Sequence, residues 1–195
     1  MTNESILIGI NGYATAGKDS FADCLVETYG FTKMAFADPL RAMALAIDPI
    51  ITYSTGWNGN PREIRYGEIL EAIGYDKAKK RYPEIRRYLQ ALGTEAGRRV
   101  LSDTLWVDHA MARAADMNRC VIADMRFKNE AQAVRDAGGL TIRITRPGVE
   151  AANDHISEHD LDDWRFSAVI ENDGTIEHLR MAVTDFVGDF HSWML

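Results

Sequence analysis

The sequence is short of cysteine, of positive charge and of long apolar runs, and each shortage excludes a class of protein. Cys24 and Cys120 are the only cysteines among 195 residues, and nothing around them has metal-ligand spacing. Cys24 falls in an expected helix and Cys120 opens an apolar strand, so both are expected to be buried, reduced thiols of a cytosolic protein. Acidic residues outnumber basic ones, 29 Asp and Glu against 22 Lys and Arg, for a formal net charge of −7. That balance argues against a general nucleic-acid coat and against a membrane-surface protein, both of which need a field of cations. Small anionic ligands remain compatible with it, because local cations and backbone amides suffice to bind them. No apolar run approaches the roughly 18 residues of a membrane span. The opening residues have no basic stretch leading into a long apolar one, so no signal peptide is expected. There is no repeat and no low-complexity tract.

What is present is a 46% hydrophobic chain long enough for one core of ordinary size. Ile6 to Ile10 reads as a short buried strand, followed by a glycine-containing loop and an amphipathic helix from Lys18 to about Tyr29. Lys33 to Ala37 reads as a second strand ending at Asp38-Pro39, where Pro39 suits the first turn of a helix. Arg119 to Asp124, Leu140 to Thr145 and Ala168 to Glu171 complete the expected strands. A helix from Glu130 to Ala137 stops at Gly138-Gly139, and another from Thr175 to Phe190 closes the chain. Alternating strands and helices at both ends imply an α/β fold, a parallel sheet with right-handed crossovers. The middle, from about 47 to 117, shows no convincing strand and reads as loops and helices, including Tyr82 to Val100 and Thr104 to Asn118. It is expected to be a helical substrate-binding insertion in a single domain. Arg146 to Arg165, polar and weakly patterned, reads as a mobile lid loop.

Gly12-Tyr13-Ala14-Thr15-Ala16-Gly17-Lys18 fits G-x-x-x-x-G-K directly after an apolar strand and directly before a helix. Glycines let backbone N–H groups turn inward around phosphates, and the helix N-terminus adds its partial positive charge. Lys18 can then reach the β- and γ-phosphates of a nucleotide. The residue after the lysine is usually Ser or Thr, whose hydroxyl touches Mg²⁺; here it is Asp19, followed by Ser20. A carboxylate there implies a stricter dependence on Mg²⁺. The bland alternative for Asp19 is an acid favoured by the helix dipole.

With Lys18-Asp19-Ser20 in its loop, the chain resembles the bacteriophage deoxynucleoside monophosphate kinases. Four further stretches resemble that family in the same order. They are Phe36-Ala37-Asp38-Pro39-Leu40-Arg41, Leu89-Gln90-Ala91-Leu92-Gly93-Thr94-Glu95, Asp124-Met125-Arg126-Phe127-Lys128-Asn129-Glu130 and His155-Ile156-Ser157-Glu158. The resemblance implies a P-loop, nucleoside monophosphate kinase-like fold, ATP as donor, Mg²⁺, and a deoxynucleoside monophosphate as acceptor. It also implies a phage origin, hence the host cytoplasm, and a homodimer.

Roles follow for the matching residues. Asp124 ends a buried strand, at the carboxyl edge where α/β proteins hold ligands, and resembles an acid that holds Mg²⁺ through water; a helix or turn cap is its alternative. Arg126 is placed to meet phosphate oxygens with its bidentate fork, against a surface ion pair with Glu130. Arg41 resembles the arginine that takes the acceptor phosphate in related kinases, with Asp38 as cap or substrate contact. Gln90, Thr94 and Arg98 lie four apart on one expected helix face, and the resemblance makes Gln90 and Arg98 acceptor contacts rather than part of a solvated stripe. Arg146, at the entry to the lid, is expected to cover ATP or neutralise transition-state charge, ahead of Arg143. The turn Asn172-Asp173-Gly174 borders adenine by analogy. Trp57, Tyr66 and Trp106 are expected in the core before they are expected on a base. No cysteine accompanies His155, and no zinc site is expected there. The basic stretch Lys77 to Arg87 reads as a solvated face or an acceptor-site rim, not as a nucleic-acid platform. The rivals are a P-loop kinase of another acceptor, such as phosphomevalonate or dephospho-coenzyme A, and an ATP-binding switch. A GTPase is disfavoured, since N-K-x-D does not occur.

Overall fold

The computed structural model describes residues 5–57, 59–151 and 156–193. Two compact units emerge, one of Met1–Phe36 with His109–Leu195, the other of Ala37–Asp108.

The first unit is built on a parallel sheet. Strands β1 (Ile6–Asn11), β2 (Thr32–Met34), β5 (Arg119–Ile122), β6 (Leu140–Thr145) and β7 (Ala168–Glu171) run in the order β2-β5-β1-β6-β7. From β1 the chain travels to one side of the sheet, and from β5 it crosses β1 to the other side. The reversal opens a crevice at the carboxyl ends of the central strands, where α/β folds take ligands. Helix α1 (Lys18–Tyr29) and helix α9 (Ile176–Trp193) pack together, with Phe21 edge-on to Phe186 at 5.9 Å. Ile8, Ile10, Leu25, Val121, Ile142, Ile144 and Val183 fill the core between helices and sheet. Helix α7 (Lys128–Asp136) lies against β1 and β6. Gly9 allows that approach, because a Cβ there would stand 2.8 Å from Met125 Sδ and 3.1 Å from a Val134 methyl. Both cysteines are buried and reduced, and burial pushes the Cys120 thiol up to about 11.

Strand β2 is shorter than its sequence suggests. Its ladder ends when Ala123 N–H donates to Met34 O (3.1 Å), and Phe36 N–H turns instead to the Asp124 carboxylate.

The second unit contains two strands where the sequence reading expected none. Antiparallel β3 (Ile50–Thr55) and β4 (Pro61–Arg65) form a hairpin. The signal was there: a β-branched run, then Asn58-Gly59, then Pro61 at a strand's first position. Helices α2 (Asp38–Ile47), α3 (Tyr66–Ile73), α4 (Tyr75–Arg81) and α5 (Pro83–Gln90) surround a small core of Ala44, Ile51, Tyr66, Ile69, Ile85 and Leu89. Tyr66 and Trp106 are buried as expected, but Trp57, in the hairpin loop, is fully exposed. The expected helix from Tyr82 to Val100 is α5 continued by a π-helical stretch, Ala91–Leu101. The Trp106 indole N–H donates to Gly93 O (2.9 Å), competing for a carbonyl that an α-helix would use itself. Gly97 leaves room for that ring, since a Cβ there would meet Trp106 at 2.6 Å. Wide-turn segments of this kind are frequent at functional sites. Helix α6 (Leu105–Ala115) leads back toward β5, and α8 (Ile156–His159) interrupts the segment read as a loop after β6.

Candidate active site

Every group of the first unit's site hangs from the carboxyl edge of the parallel sheet. The loop after β1 is held in one shape by sterics. A Cβ on Gly12 would sit 2.6 Å from Ile144 O, and one on Gly17 would sit 2.4 Å from Asn172 Nδ2. Gly17 has φ of 101° and Thr15 a φ of 69°, a conformation costly for a β-branched residue. Asn172, buried in the turn after β7, pins the loop by donating from Nδ2 to Ala16 O at 2.8 Å, while its own N–H donates to Thr145 O at 2.7 Å. The sequence marked Asn172 only as part of a turn.

Lys18 opens α1 with Nζ 3.5 Å from Tyr13 O. Burial lowers its pKa and Arg126 adds to the effect, against the carboxylates of Asp19, Glu158 and Asp124. An under-solvated ammonium of this kind favours the arrival of an anion. Thr15, Gly17, Lys18, Asp19, Ser20, Arg146, Asn172, Gly174, Thr175 and Ile176 line one open cleft of about 420 Å³. The structure therefore brings Arg146 and the β7–α9 turn to the phosphate loop, although the sequence separates them by more than a hundred residues. Tyr13, Ala14 and Ala16 shape the loop from outside the cleft wall.

Asp19 is exposed and paired with Lys33 Nζ at 3.1 Å; Lys33 also reaches Asp23 at 2.9 Å. Burial works against the Lys33 charge, but the two carboxylates outweigh it and raise its pKa. The sequence reading missed Lys33, which lies on β2 with no motif around it.

Asp124, just past β5, accepts the Phe36 N–H at 2.7 Å. The bond ties the end of β5 to the chain just past β2 rather than capping an adjacent helix, and the carboxylate also acts electrostatically on Lys18. Arg126 does not pair through its guanidinium with Glu130. Glu130, buried at 3% exposure, accepts the backbone N–H groups of Arg126 (2.7 Å) and Phe127 (3.1 Å) and so opens α7. The Arg126 side chain reaches Glu158 Oε1 from Nη1 at 3.0 Å. Arg143 lies 5.4 Å over the Tyr13 ring and pairs with another carboxylate. It donates to Asp162 Oδ1 at 2.7 Å, where the Tyr13 hydroxyl also donates (3.2 Å), and His159 Nδ1 meets Oδ2 at 2.9 Å. Burial would raise the Asp162 pKa, but the hydrogen bonds of Arg143 and His159 prevail and lower it. His155 lies outside the described residues.

On the second unit, Arg41 Nη1 sits 3.3 Å from Asp38 Oδ1, and the guanidinium lies 4.8 Å over the Tyr75 ring. Gln90 is exposed at the end of α5, and Arg98 is half-buried in the π-helical stretch. Because that stretch bonds i to i+5, Gln90, Thr94 and Arg98 do not follow a single α-helical row. Lys77, Lys80, Arg81, Arg86 and Arg87 are exposed, a solvated face.

Among the described residues no group of three His, Cys, Asp or Glu could cage a metal, and no helix is long and apolar enough to cross a membrane. Mg²⁺ fits such a donor set, since it keeps several waters and needs one or two carboxylates plus substrate phosphates. Asp124 and Asp19 are the residues expected from the sequence to hold it; Glu158, the third carboxylate acting on Lys18, is engaged by Arg126.

Residues 61–183 match the family model described as Deoxynucleotide monophosphate kinase. The deoxynucleotide monophosphate kinase of Enterobacteria phage T4 is 31% identical, over 89% of this chain and 95% of that protein. A protein of Acanthamoeba polyphaga mimivirus, provisionally given the same name, is 29% identical over 88% of this chain and 91% of its own length. Among solved structures, the dephospho-CoA kinase from Campylobacter jejuni aligns over 97% of this chain and 98% of that one. The TM-score of that alignment is 0.47 at 12% identity.

Proposed function

This chain belongs to the deoxynucleotide monophosphate kinase family, and we propose that it uses Mg-ATP as its donor. The γ-phosphorus bonds to an oxygen of the acceptor's phosphate as its bond to the β-bridging oxygen breaks, giving a deoxynucleoside diphosphate and ADP. The observation that carries the donor assignment is the pinned loop Gly12–Lys18 with its under-solvated Lys18, in a cleft shared with Arg146 and the Gly174-Thr175-Ile176 turn.

In this reading the loop amides and Lys18 bind the β- and γ-phosphates. Arg146 faces the nucleotide from the carboxyl end of β6, and adenine rests against the turn after β7. Asp124 and Asp19 would hold Mg²⁺, partly through water, and the ion when bound offsets charge on the phosphates. Asp19 would exchange its pairing with Lys33 for that role. Arg126 contributes a guanidinium at the end of β5 for the migrating phosphoryl group, where little covalent help is needed and positioning and charge do the catalysis. On the second unit, Arg41, oriented by Asp38 and by stacking on Tyr75, takes the acceptor phosphate, with Gln90 and Arg98 as further acceptor contacts. In organisation, 47–117 serves as the acceptor-binding insertion and 146–165 as the lid. We place the protein in the host cytoplasm as a homodimer, on the viral origin of its relatives and the family resemblance.

A coupled ADP-release assay against the four deoxynucleoside monophosphates and their ribose forms tests the reaction. ADP should appear steadily only with an acceptor present, and faster with deoxyribose forms. Turnover with dephospho-coenzyme A or phosphomevalonate and with none of the monophosphates would overturn the reading.

The metal role of Asp19 has its own test. Asp19→Ser restores the commoner hydroxyl, and activity should persist at a reduced level with a shifted Mg²⁺ titration. A Mg²⁺ titration identical to wild type would leave Asp19 as a helix N-terminal acid paired with Lys33.

A further inference from the structure

Arg126 is fixed at its backbone but not along its side chain. Glu130 holds its N–H, yet four rotatable bonds separate that anchor from a guanidinium whose side chain is 47% exposed. Among the described residues, the carboxylate that meets that guanidinium belongs to Glu158, on α8, with its Oε1 3.0 Å from Nη1 and its side chain only 13% exposed. The backbone segment that carries Glu158 is tied down by groups other than Arg126. Two residues on, Asp160 accepts the Lys128 N–H at 2.7 Å, tying this segment to the first turn of α7. Leu161 is buried at 2% exposure, and Asp162 gathers Tyr13, Arg143 and His159. The stretch that presents the carboxylate is therefore held independently of the arginine, and the carboxylate is 13% exposed beside it.

We infer that Glu158 is a positioning residue for phosphoryl transfer, holding Arg126 through Nη1 so that its remaining N–H groups face the migrating phosphoryl group. This rests on the role of Arg126 proposed above. A guanidinium carries five donors, so one contact leaves the fork free for phosphate. Loosening a carboxylate that orients an acting group generally costs activity without removing the group. The competing idea is that Glu158 stands in for an absent phosphate and must be expelled. Glu158 does act on Lys18 electrostatically, but Lys18 Nζ is directed to Tyr13 O and the direct partner of Glu158 is Arg126.

The two ideas order the variants of Glu158 differently. Glu158→Gln keeps the reach of the accepting oxygen and loses the charge; Glu158→Asp keeps the charge and withdraws the oxygen by one methylene. Positioning predicts that Glu158→Ala and Glu158→Asp lose about 10- to 100-fold in kcat, with KM for Mg-ATP little changed, and that Glu158→Gln recovers most of the rate. A displaced stand-in predicts tighter Mg-ATP binding by titration calorimetry in the Ala variant and wild-type behaviour for Asp; either result overturns the inference. Thermal melts of each variant separate loss of fold, and the Gln and Asp pair decides the matter even if Ala is unstable. The Arg126→Ala, Glu158→Ala double variant should be no slower than Arg126→Ala alone, because Glu158 acts through Arg126. A full further loss in the double variant overturns the inference and leaves Arg126 in place. Wild-type kcat in Arg126→Ala alone removes Arg126 from the reaction, and the inference with it.

Discussion

Lys18→Ala is expected to lower kcat by roughly 10²- to 10³-fold or more, the scale of losing one preorganised donor to a transition state, and to leave the fold intact. The burial of Lys18 is what makes the second half of this expectation sharp. Its ammonium is under-solvated in the loop, with a pKa lowered chiefly by burial, so the folded chain gains little from its charge. What holds the loop is elsewhere: the Asn172 amide on Ala16 O, and the close approach of Gly12 to Ile144 O. Removing the amine therefore takes away a partner for the β- and γ-phosphates and nothing that supports the sheet. The thermal melt in the absence of nucleotide should stay near wild type, while the stabilisation that Mg-ATP confers by mass action should shrink. A rate within a few-fold of wild type would reject the assignment of the loop. A collapsed melt would instead mean that Lys18 belongs to the fold.

The parts of the fold legible beforehand are those written in local pattern. The strands Leu140–Thr145 and Ala168–Glu171 stand where their apolar, β-branched runs place them. The phosphate loop is legible because strand, glycines, lysine and helix are contiguous. The π-helical stretch was not legible as such, since a helix from Tyr82 to Val100 carries the same apolar rows in either form. Only the Trp106 indole, thirteen residues away from Gly93, distinguishes them. The hairpin at Ile50–Arg65 departs from the loops and helices expected for 47–117, although a β-branched run and an Asn-Gly pair mark it in the sequence.

The site divides along the same line. Lys18, Asp124 and Arg146 stand on the carboxyl edge because each follows a strand, and that position can be counted from sequence. The partners of those residues cannot. Arg126 meets Glu158 across 32 positions and not Glu130 across four, because the buried Glu130 is already taken by two backbone N–H groups. Asp19 meets Lys33 because β2 ends beside the first turn of α1. Long-range pairing of this kind depends on which carboxylate the backbone has already claimed, and no spacing rule carries that information.

Replacing the two arginines one at a time should split the kinetics between binding and chemistry. If Arg41 holds the acceptor phosphate throughout, Arg41→Ala removes an interaction common to ground and transition states and raises the acceptor KM. A lost charge-assisted hydrogen bond is worth about 1.5–3 kcal/mol, or roughly 10- to 100-fold, with kcat close to wild type. Asp38 and Tyr75 each lose one contact, but both are partly exposed, and Tyr75 keeps Lys79 5.0 Å over its ring. If Arg126 acts on charge that develops during transfer, Arg126→Ala lowers kcat and kcat/KM together, by roughly 10²- to 10³-fold. Its salt bridge with Glu158 is too exposed on the arginine side to matter much for folding, about 0–1 kcal/mol. A purely structural Arg126 predicts the reverse: that small stability loss, with normal turnover. Steady-state kcat and KM for both substrates, with melts of the same preparations, decide between the two. An Arg41→Ala enzyme with wild-type KM for every deoxynucleoside monophosphate would remove the acceptor role from Arg41, and normal kcat in Arg126→Ala would remove the catalytic role from Arg126.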